Sequence, residues 1–272
     1  MITSGDGARS TAGSIVSERS MRVFRAPKYI FDSIDRCVVR DGNVDLLGDR
    51  WVIGLGTGHK LFEEFAGIGN EVTGTCRHFR TFNVVVDGRM VTLIASDAGG
   101  IYTEGLLSVA HRRGVKYIVG FGACGAIRED LDLCDVVIPL ASVRGENLTD
   151  YYVEKTYPAV ADFDMLSVLK NVLEASGLKP RVSLVYTTSS ILTEDPEEMR
   201  ILGNMGISCI ECEVSVLYTI SRLTGIRSAA LLIVSDHVVK EKELDEMMWK
   251  NYSDLQKRIL NIVVNMLSRL DI

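Results

Sequence analysis

In the sequence WVIGLGTGHK at residues 51–60, an apolar run ends in closely spaced glycines, and a helix-like segment over 60–66 follows. Backbone amides at a turn between a strand and a helix can approach an anion, and Lys60 would add a positive charge. The spacing to Lys60 is wrong for a Walker A loop, and the third glycine is misplaced for a dinucleotide site. On spacing alone, an anion site and a plain tight turn remain equally open.

The rest of the chain continues the alternation of strand and helix. Strands are predicted over 51–56, 81–86, 90–95, 117–121, 135–141, 181–187 and 228–234, and helices over 60–66, 100–113, 162–176, 195–205, 214–223 and 244–270. This order is typical of an α/β protein with a central sheet. With no repeat and no internal linker, we predict one domain over 21–272, preceded by a flexible tail over 1–20 that is rich in small polar residues.

Composition excludes several classes of protein. The chain has 272 residues, 47% of them hydrophobic, which is too apolar for a disordered protein and too long for a disulfide-stapled miniprotein. Its apolar runs are too short to span a membrane, and a net charge of −6 argues against a nucleic-acid groove. No secretory signal precedes the six scattered cysteines, so we expect reduced thiols and a cytoplasmic protein. The CxxC spacing at 209–212 lacks a second pair, so no metal site is predicted.

Acidic residues stand out at two places where strands end. Glu211 and Glu213 lie just before a predicted helix, and two acids in an apolar stretch are costly to bury unless they bind something. Asp236 follows a fully apolar strand, where it is well placed as a general acid. The alternative in each case is a cap on a helix or turn. His237 lacks a nucleophile partner, which favours a structural role.

The chain resembles the nucleoside phosphorylase superfamily, in particular the hexameric purine nucleoside phosphorylases and the uridine phosphorylases, from about residue 51 to its end. Each motif alone is modest, but their order and spacing match. They are Gly56, RHF at 77–79, GG at 99–100, GACGAI at 122–127, DVVI at 135–138, AVADFD at 159–164, ECE at 211–213 and VSDH at 234–237. The resemblance implies a single α/β domain with a central mixed, twisted and partly barrel-like sheet flanked by helices.

The resemblance also implies a reaction and a set of roles. The reaction is reversible phosphorolysis of a purine nucleoside to free base and ribose 1-phosphate, with inorganic phosphate as co-substrate and no cofactor. Asp236, preceded by Ser235, would protonate the leaving base. On the sugar side, Glu213 would hold the ribose hydroxyls with support from Glu211, and Cys212 stands where the family usually has Met. The family's site is shared between subunits, so a homo-oligomer built from dimers is implied, with a hexamer as the expected assembly.

The phosphate site departs from the family pattern. Gly56 and Lys60 match the phosphate loop, with Lys where Arg is usual, and Arg77 matches an arginine that reaches the neighbouring subunit's phosphate. Gly120 stands where the family has a phosphate-gripping Arg, and Ala123 where it has Ser or Thr. We therefore expect Gly120→Arg to tighten phosphate use. Near the base, Thr193 takes the place of a stacking aromatic, and 194–199 lacks the Gln and Arg of uridine phosphorylases.

Three alternatives follow from these departures. A phosphate-independent nucleosidase would need a glutamate in the first turn, about where Lys60 stands. A non-catalytic or heteromeric nucleoside-binding member of the family would keep the fold and assemble with an active paralogue. An unrelated nucleotide-binding α/β protein is the last alternative. Base release from inosine, adenosine and uridine, with and without phosphate, distinguishes the first two from a phosphorylase.

Overall fold

The computed structural model describes residues 23–271, so the predicted tail over 1–20 lies outside the described residues. The strands are β1 Arg50–Leu55, β2 Phe79–Val86, β3 Arg89–Ser96, β4 Tyr117–Ala126, β5 Val136–Arg144, β6 Ala159–Val160, β7 Arg181–Thr187, β8 Ile207–Glu211, β9 Arg227–His237 and β10 Lys242–Glu243. The helices are α1 Lys28–Val38, α2 His59–Ala66, α3 Gly100–Arg113, α4 Phe163–Ala175, α5 Pro196–Asn204, α6 Val214–Thr224 and α7 Glu246–Arg269.

All ten strands belong to one mixed sheet. On one side β4, β1 and β3 run parallel, and β2 closes that side as the antiparallel partner of β3. On the other side β4, β9, β5, β7 and β8 pair in turn until β8 returns to β4, which closes a ring of five strands. The predicted α/β domain with a mixed, partly barrel-like sheet is thus confirmed.

Local sequence explains where the elements turn and begin. Asp87 and Gly88 join β2 to β3, and both have positive φ, as a two-residue hairpin turn requires. Asp162 caps α4 by accepting a hydrogen bond from the Met165 N–H at 3.0 Å. Gly225, with φ 74°, ends α6 in the left-handed conformation that helix ends favour.

The strands of the core carry apolar residues on both faces. Trp51, Phe121 and Leu231 are fully buried on β1, β4 and β9. Burial on both faces is expected for strands that helices cover from each side. At 11 residues, β9 is longer than the predicted apolar run 228–234, because it continues through its polar end to His237. The site residues at 235–237 therefore lie on a strand that pairs with β4.

A disulfide joins Cys37 and Cys76, with Cα atoms 4.5 Å apart, which corrects the expectation of reduced cysteines. The end of α1 lies beside the segment before β2, where the Thr75 N–H donates to the Arg36 carbonyl at 2.8 Å. This backbone pairing brings together two cysteines that are 39 residues apart in sequence. The remaining four cysteines are free, including Cys209 and Cys212 of the CxxC spacing.

Candidate active site

A pocket of about 290 Å³ opens where β1, β4, β8 and β9 come together. Four of the residues around it carry carboxyl groups, and none is Lys, Arg or His, within the part of the chain that the structure describes. The lining residues are Leu55, Gly56, Ala98, Ala123, Cys124, Gly125, Ile191, Glu194, Ile210, Glu211, Cys212, Glu213, Ser235 and Asp236. The structure thus brings together most of the residues that the sequence singled out.

Glu211 lies at the end of β8 and caps α6. One carboxylate oxygen accepts hydrogen bonds from the backbone N–H groups of Glu213 at 2.6 Å and Val214 at 2.7 Å. The other accepts from the Thr187 hydroxyl. Burial, and then the negative charge of Glu213, raise the pKa of Glu211 to about 8. The predicted capping role is therefore real, and through it Glu211 fixes the backbone of Glu213.

Glu213 is buried and reaches toward α3. Its Oε1 accepts a hydrogen bond from the N–H of Gly99, the residue just before α3, at 2.5 Å. Burial raises the pKa of Glu213 to about 7. Glu213 also lines the pocket. A carboxylate held in this way can accept a further hydrogen bond from a hydroxyl group of a bound sugar, because each oxygen has two lone pairs.

A buried polar chain supports the two glutamates from behind. The Thr187 hydroxyl, which donates to Glu211, accepts from the Ser142 hydroxyl at 2.7 Å and from the Ser215 N–H at 2.9 Å. The Ser215 hydroxyl donates to Glu146 at 2.8 Å. Because its hydrogen bonds are satisfied in the interior, such a chain holds the carboxylates in one arrangement. Apart from Glu211, sequence reasoning finds none of these residues, since isolated Ser and Thr on strands carry no distinguishing pattern.

Ser235 and Asp236 form the other acidic part of the pocket. The Ser235 hydroxyl donates to Asp236 Oδ1 at 2.7 Å. A β-bulge between Cys124 and Gly125 shifts the register of β4 against β9 at this point. A Cβ on Gly125 would lie 2.9 Å from Asp236 Oδ2, so glycine at this position makes room for the carboxyl group.

Glu194 is the pocket residue that the sequence does not reveal. It lies between a short 3-10 turn and α5, and it shares the pocket with Asp236. Burial, and then the negative charge of Asp236, raise the pKa of Glu194 to about 7. Its carboxyl group has no hydrogen-bond or ion-pair partner within residues 23–271. In the sequence it is hidden among several acids near the start of α5, where Asp195 is the actual cap.

Only some of the residues predicted to bind phosphate lie at the pocket. Gly56 and Ala123 line the pocket. Lys60 does not, because its side chain is 88% exposed and its Nζ lies 3.7 Å from the Glu64 carboxylate. Arg77 is also exposed outside the pocket, and no partner for it lies within the described chain. Within one subunit, the described residues therefore bring no cation to the pocket.

Gly120 lies in the core, not at an anion site. A Cβ there would lie 2.7 Å from Leu217 Cδ2 and 2.9 Å from Leu55 Cδ1. The expectation that Gly120→Arg tightens phosphate use assumes that this position faces an anion, whereas any side chain here would first have to displace two core leucines. Thr193 is exposed and donates to the Ser190 carbonyl at 3.1 Å, whereas Cys212 lines the pocket.

His237 has the structural role expected of it. It is buried, its Nε2 lies 3.0 Å from the Arg128 carbonyl, and its Nδ1 accepts from the Lys240 N–H at 3.2 Å. Burial lowers its pKa.

A group of three or more side chains placed to hold a metal is not found in the described part of the chain. None of the helices described there is both long and apolar enough to span a membrane.

A larger cavity of about 350 Å³ lies between α1 and α3. It is mainly apolar, and its aromatic lining consists of Phe24, Phe31, Phe79, Tyr102 and Tyr152. Its one carboxyl group, on Glu104, already accepts a hydrogen bond from the Tyr152 hydroxyl. We place the candidate active site in the smaller pocket, because four carboxyl groups meet there and that of Glu194 has no partner within residues 23–271.

Comparisons with known proteins show which proteins this chain is similar to. The family model of the phosphorylase superfamily matches residues 52–268. A purine nucleoside phosphorylase DeoD-type 2 of Vibrio cholerae is 28% identical over 190 residues, which cover 68% of this chain and 79% of the relative. A DeoD-type purine nucleoside phosphorylase of Yersinia enterocolitica is 29% identical over 179 residues, covering 64% and 71%.

Two solved structures share the fold. The uridine phosphorylase of Vibrio fischeri superposes with a TM-score of 0.75 at 19% identity, over 86% of this chain and 96% of that one. The purine nucleoside phosphorylase of Toxoplasma gondii, solved with immucillin-H, superposes with a TM-score of 0.74 at 19% identity, over 83% and 94%. At this identity the likeness concerns the fold.

Proposed function

The chain belongs to the phosphorylase superfamily, and from that premise we propose that it is a pentosyltransferase that cleaves purine nucleosides with inorganic phosphate. The products are the free base and ribose 1-phosphate, and no cofactor takes part. The observation that carries the proposal is that Glu213 and the Ser235–Asp236 pair line one pocket. Purine chemistry is favoured over pyrimidine chemistry because an acid follows Ser235 at the place where a leaving purine needs a proton.

The reaction breaks the bond between N9 of the purine and the anomeric carbon of ribose. The bonding electron pair goes to the base, and Asp236 delivers a proton to N7. Positive charge that develops on the sugar is stabilised by the nearby Glu213 carboxylate, which also orients the ribose hydroxyls. A phosphate oxygen then forms the new bond to the anomeric carbon. Phosphate returns its proton to the site as it becomes the sugar phosphate.

Phosphate binding requires a second subunit in this proposal. Within the described chain the lining residues of the pocket include no cation, and a doubly charged anion needs more than backbone amides at Gly56. Arg77 is an exposed arginine without a partner in the described chain, so it is free to reach a neighbouring copy. The active form is accordingly a homo-oligomer built from dimers, with nucleoside and phosphate as its small-molecule partners.

A second candidate function is phosphate-independent nucleoside hydrolysis. It is favoured by the same lack of cations among the described residues around the pocket, because water needs no cationic site. The two functions share Glu213 and Asp236 and differ only in the nucleophile.

The test is base release from adenosine, inosine and uridine, each measured with and without phosphate. Release of purine base that requires phosphate supports the proposed function. Release that is equal without phosphate supports the hydrolase and overturns phosphorolysis. Absence of release from every nucleoside by the folded protein would overturn both. Arg77→Ala, with exposed Lys60→Ala as the control, then shows whether the arginine contributes to KM for phosphate.

A further inference from the structure

Glu194 is held in a defined position beside Asp236. The next residue, Asp195, caps α5 by accepting from the Glu197 N–H at 2.9 Å and the Glu198 N–H at 3.2 Å. Pro196 then begins the helix. A capped helix start with proline at its first position is a rigid support. Glu194 therefore presents its carboxyl group to the pocket from a fixed backbone.

The carboxyl groups of Glu194 and Asp236 line the same pocket, and the negative charge of Asp236 adds to the effect of burial in raising the pKa of Glu194. The thiol of Cys212 is the other group that senses Glu194, and Glu211 and Glu213 complete the titratable lining. None of these groups is a cation. The pocket therefore offers two carboxyl groups to a purine. Asp236 is the proposed proton donor, and Glu194 has no hydrogen-bond or ion-pair partner within residues 23–271.

One hydrogen-bond donor and one acceptor match one kind of purine. The edge of adenine offers an acceptor at N7 and a donor at the 6-amino group, whereas the corresponding edge of a 6-oxopurine offers two acceptors. Asp236 as the proposed donor, together with the Glu194 carboxylate as an acceptor, pairs with the first edge. The second edge would need a donor at both positions.

We propose that Glu194 selects the base, with its carboxylate accepting a hydrogen bond from the amino group of a 6-aminopurine while Asp236 donates to N7. This inference rests on the proposed function, since it assumes that a purine occupies the pocket. The loss of one hydrogen bond to a charged group corresponds to about a tenfold change or more in discrimination. The wild-type protein should therefore prefer adenosine to inosine by about that factor at pH 8.

The experiment measures kcat/KM for adenosine and inosine between pH 6 and pH 8 in the wild type, Glu194→Gln and Glu198→Gln. Glu198 is an exposed acid of the same helix start, so its variant is the matched control. The glutamine at 194 can donate to a 6-oxo group. We expect this variant to lower the ratio of kcat/KM for adenosine to kcat/KM for inosine by about tenfold. In the variant, that ratio should no longer fall as the pH drops toward 6. The control variant should keep both the ratio and its dependence on pH.

A separate measurement keeps the inference testable if the protein turns over neither nucleoside. Calorimetric titration with adenine and with hypoxanthine reports base selection without catalysis. Tighter binding of adenine that is lost in Glu194→Gln supports the inference even where the proposed function fails. An unchanged preference in a folded Glu194→Gln variant, by kinetics or by binding, overturns the inference and leaves the proposed function standing.

Discussion

Glu213 accepts a hydrogen bond from the backbone N–H of Gly99 at 2.5 Å, although 114 residues separate the two in the chain. This contact joins the start of α3 to the start of α6 at the pocket. The carboxyl group also lines the pocket, where its remaining lone pairs can accept from a substrate. The geometry explains how a buried acid can be both a structural link and a ligand for sugar.

Replacing Glu213 by Gln should leave the fold intact and reduce activity. The amide oxygen can still accept from Gly99, but the negative charge beside the sugar is lost. We expect kcat/KM for the preferred purine nucleoside to fall about 100-fold or more. Base release and circular dichroism check the two parts of this prediction. Equal activity in a folded variant would show that Glu213 is only a structural acceptor.

Stability should depend on pH through the same residue. The pKa of Glu213 is about 7 in the folded protein, against 4.5 for an ordinary glutamate, so the folded state binds more protons in between. The stabilisation of the folded state by Glu213 is fully present below pH 4.5 and is lost as the pH rises through about 7. By linkage its size is about 3 kcal/mol. Urea unfolding from pH 5 to pH 8 should show falling stability, with a smaller fall in Glu213→Gln. A steeper fall in the variant would contradict this sign.

Asp236→Asn tests the proton donor. The asparagine can still accept from Ser235, so the local strand structure should persist. Purine turnover should drop about 100-fold, which is the usual scale for a lost general acid. The exposed Asp132, changed to Asn, serves as a control that should keep full turnover. Unchanged turnover in Asp236→Asn would leave Asp236 without a catalytic role.

Gly120→Ala should destabilise the protein. The added methyl group would press on Leu55 and Leu217 in a packed core, at a cost of about 1–3 kcal/mol. Gly69→Ala is the matched control, because nothing lies within 4 Å of the place its Cβ would take and its φ is not positive. Thermal unfolding compares the two variants. Equal midpoints would show that β4 can move to accept the methyl group.

The Cys37–Cys76 disulfide should stabilise the folded chain. It closes a loop across 39 residues, for which the loss of chain entropy in the unfolded state gives about 2–4 kcal/mol. Reduction, or Cys37→Ser, should lower the midpoint of urea unfolding, whereas the free Cys134 changed to Ser should not. Mass spectrometry after alkylation without reductant counts the thiols. Free thiols at both positions in the native protein would refute the pairing.

Much of the fold follows from local sequence because most strands and helices are separated by glycines and acidic caps. β7 has the predicted bounds, since its apolar run is flanked by turn residues on both sides. β8 is not predicted, because Ser208 and Glu211 interrupt its run of apolar residues, although both are buried in the ring of five strands. α1 is not predicted either, although its apolar residues recur at helical spacing, and it packs against α3.

The sequence predicts the candidate-site residues that directly follow apolar strands. It does not predict those that only contacts between distant parts of the chain bring to the pocket. Glu211, Glu213 and Asp236 stand after apolar runs, and the structure brings all three to one pocket. Lys60 is adjacent to the correct turn, but its place on α2 directs the side chain to Glu64 and solvent. Glu194 is one acid among several in sequence, and only the return of its loop to β9 distinguishes it.

The closed ring of five strands also limits how copies of this chain can associate through their backbones. A sheet normally has two long edges with unpaired N–H and C=O groups, and such edges can template aggregation. In the described structure the strand at one end of the sheet, β10, is only two residues long. The long edge strand is therefore β2, at the other end. Glu71 forms an isolated bridge to Phe82 across part of it. Backbone pairing with another copy would therefore fall on the exposed end of β2 near Val85, where a lysine in place of Val85 would oppose it.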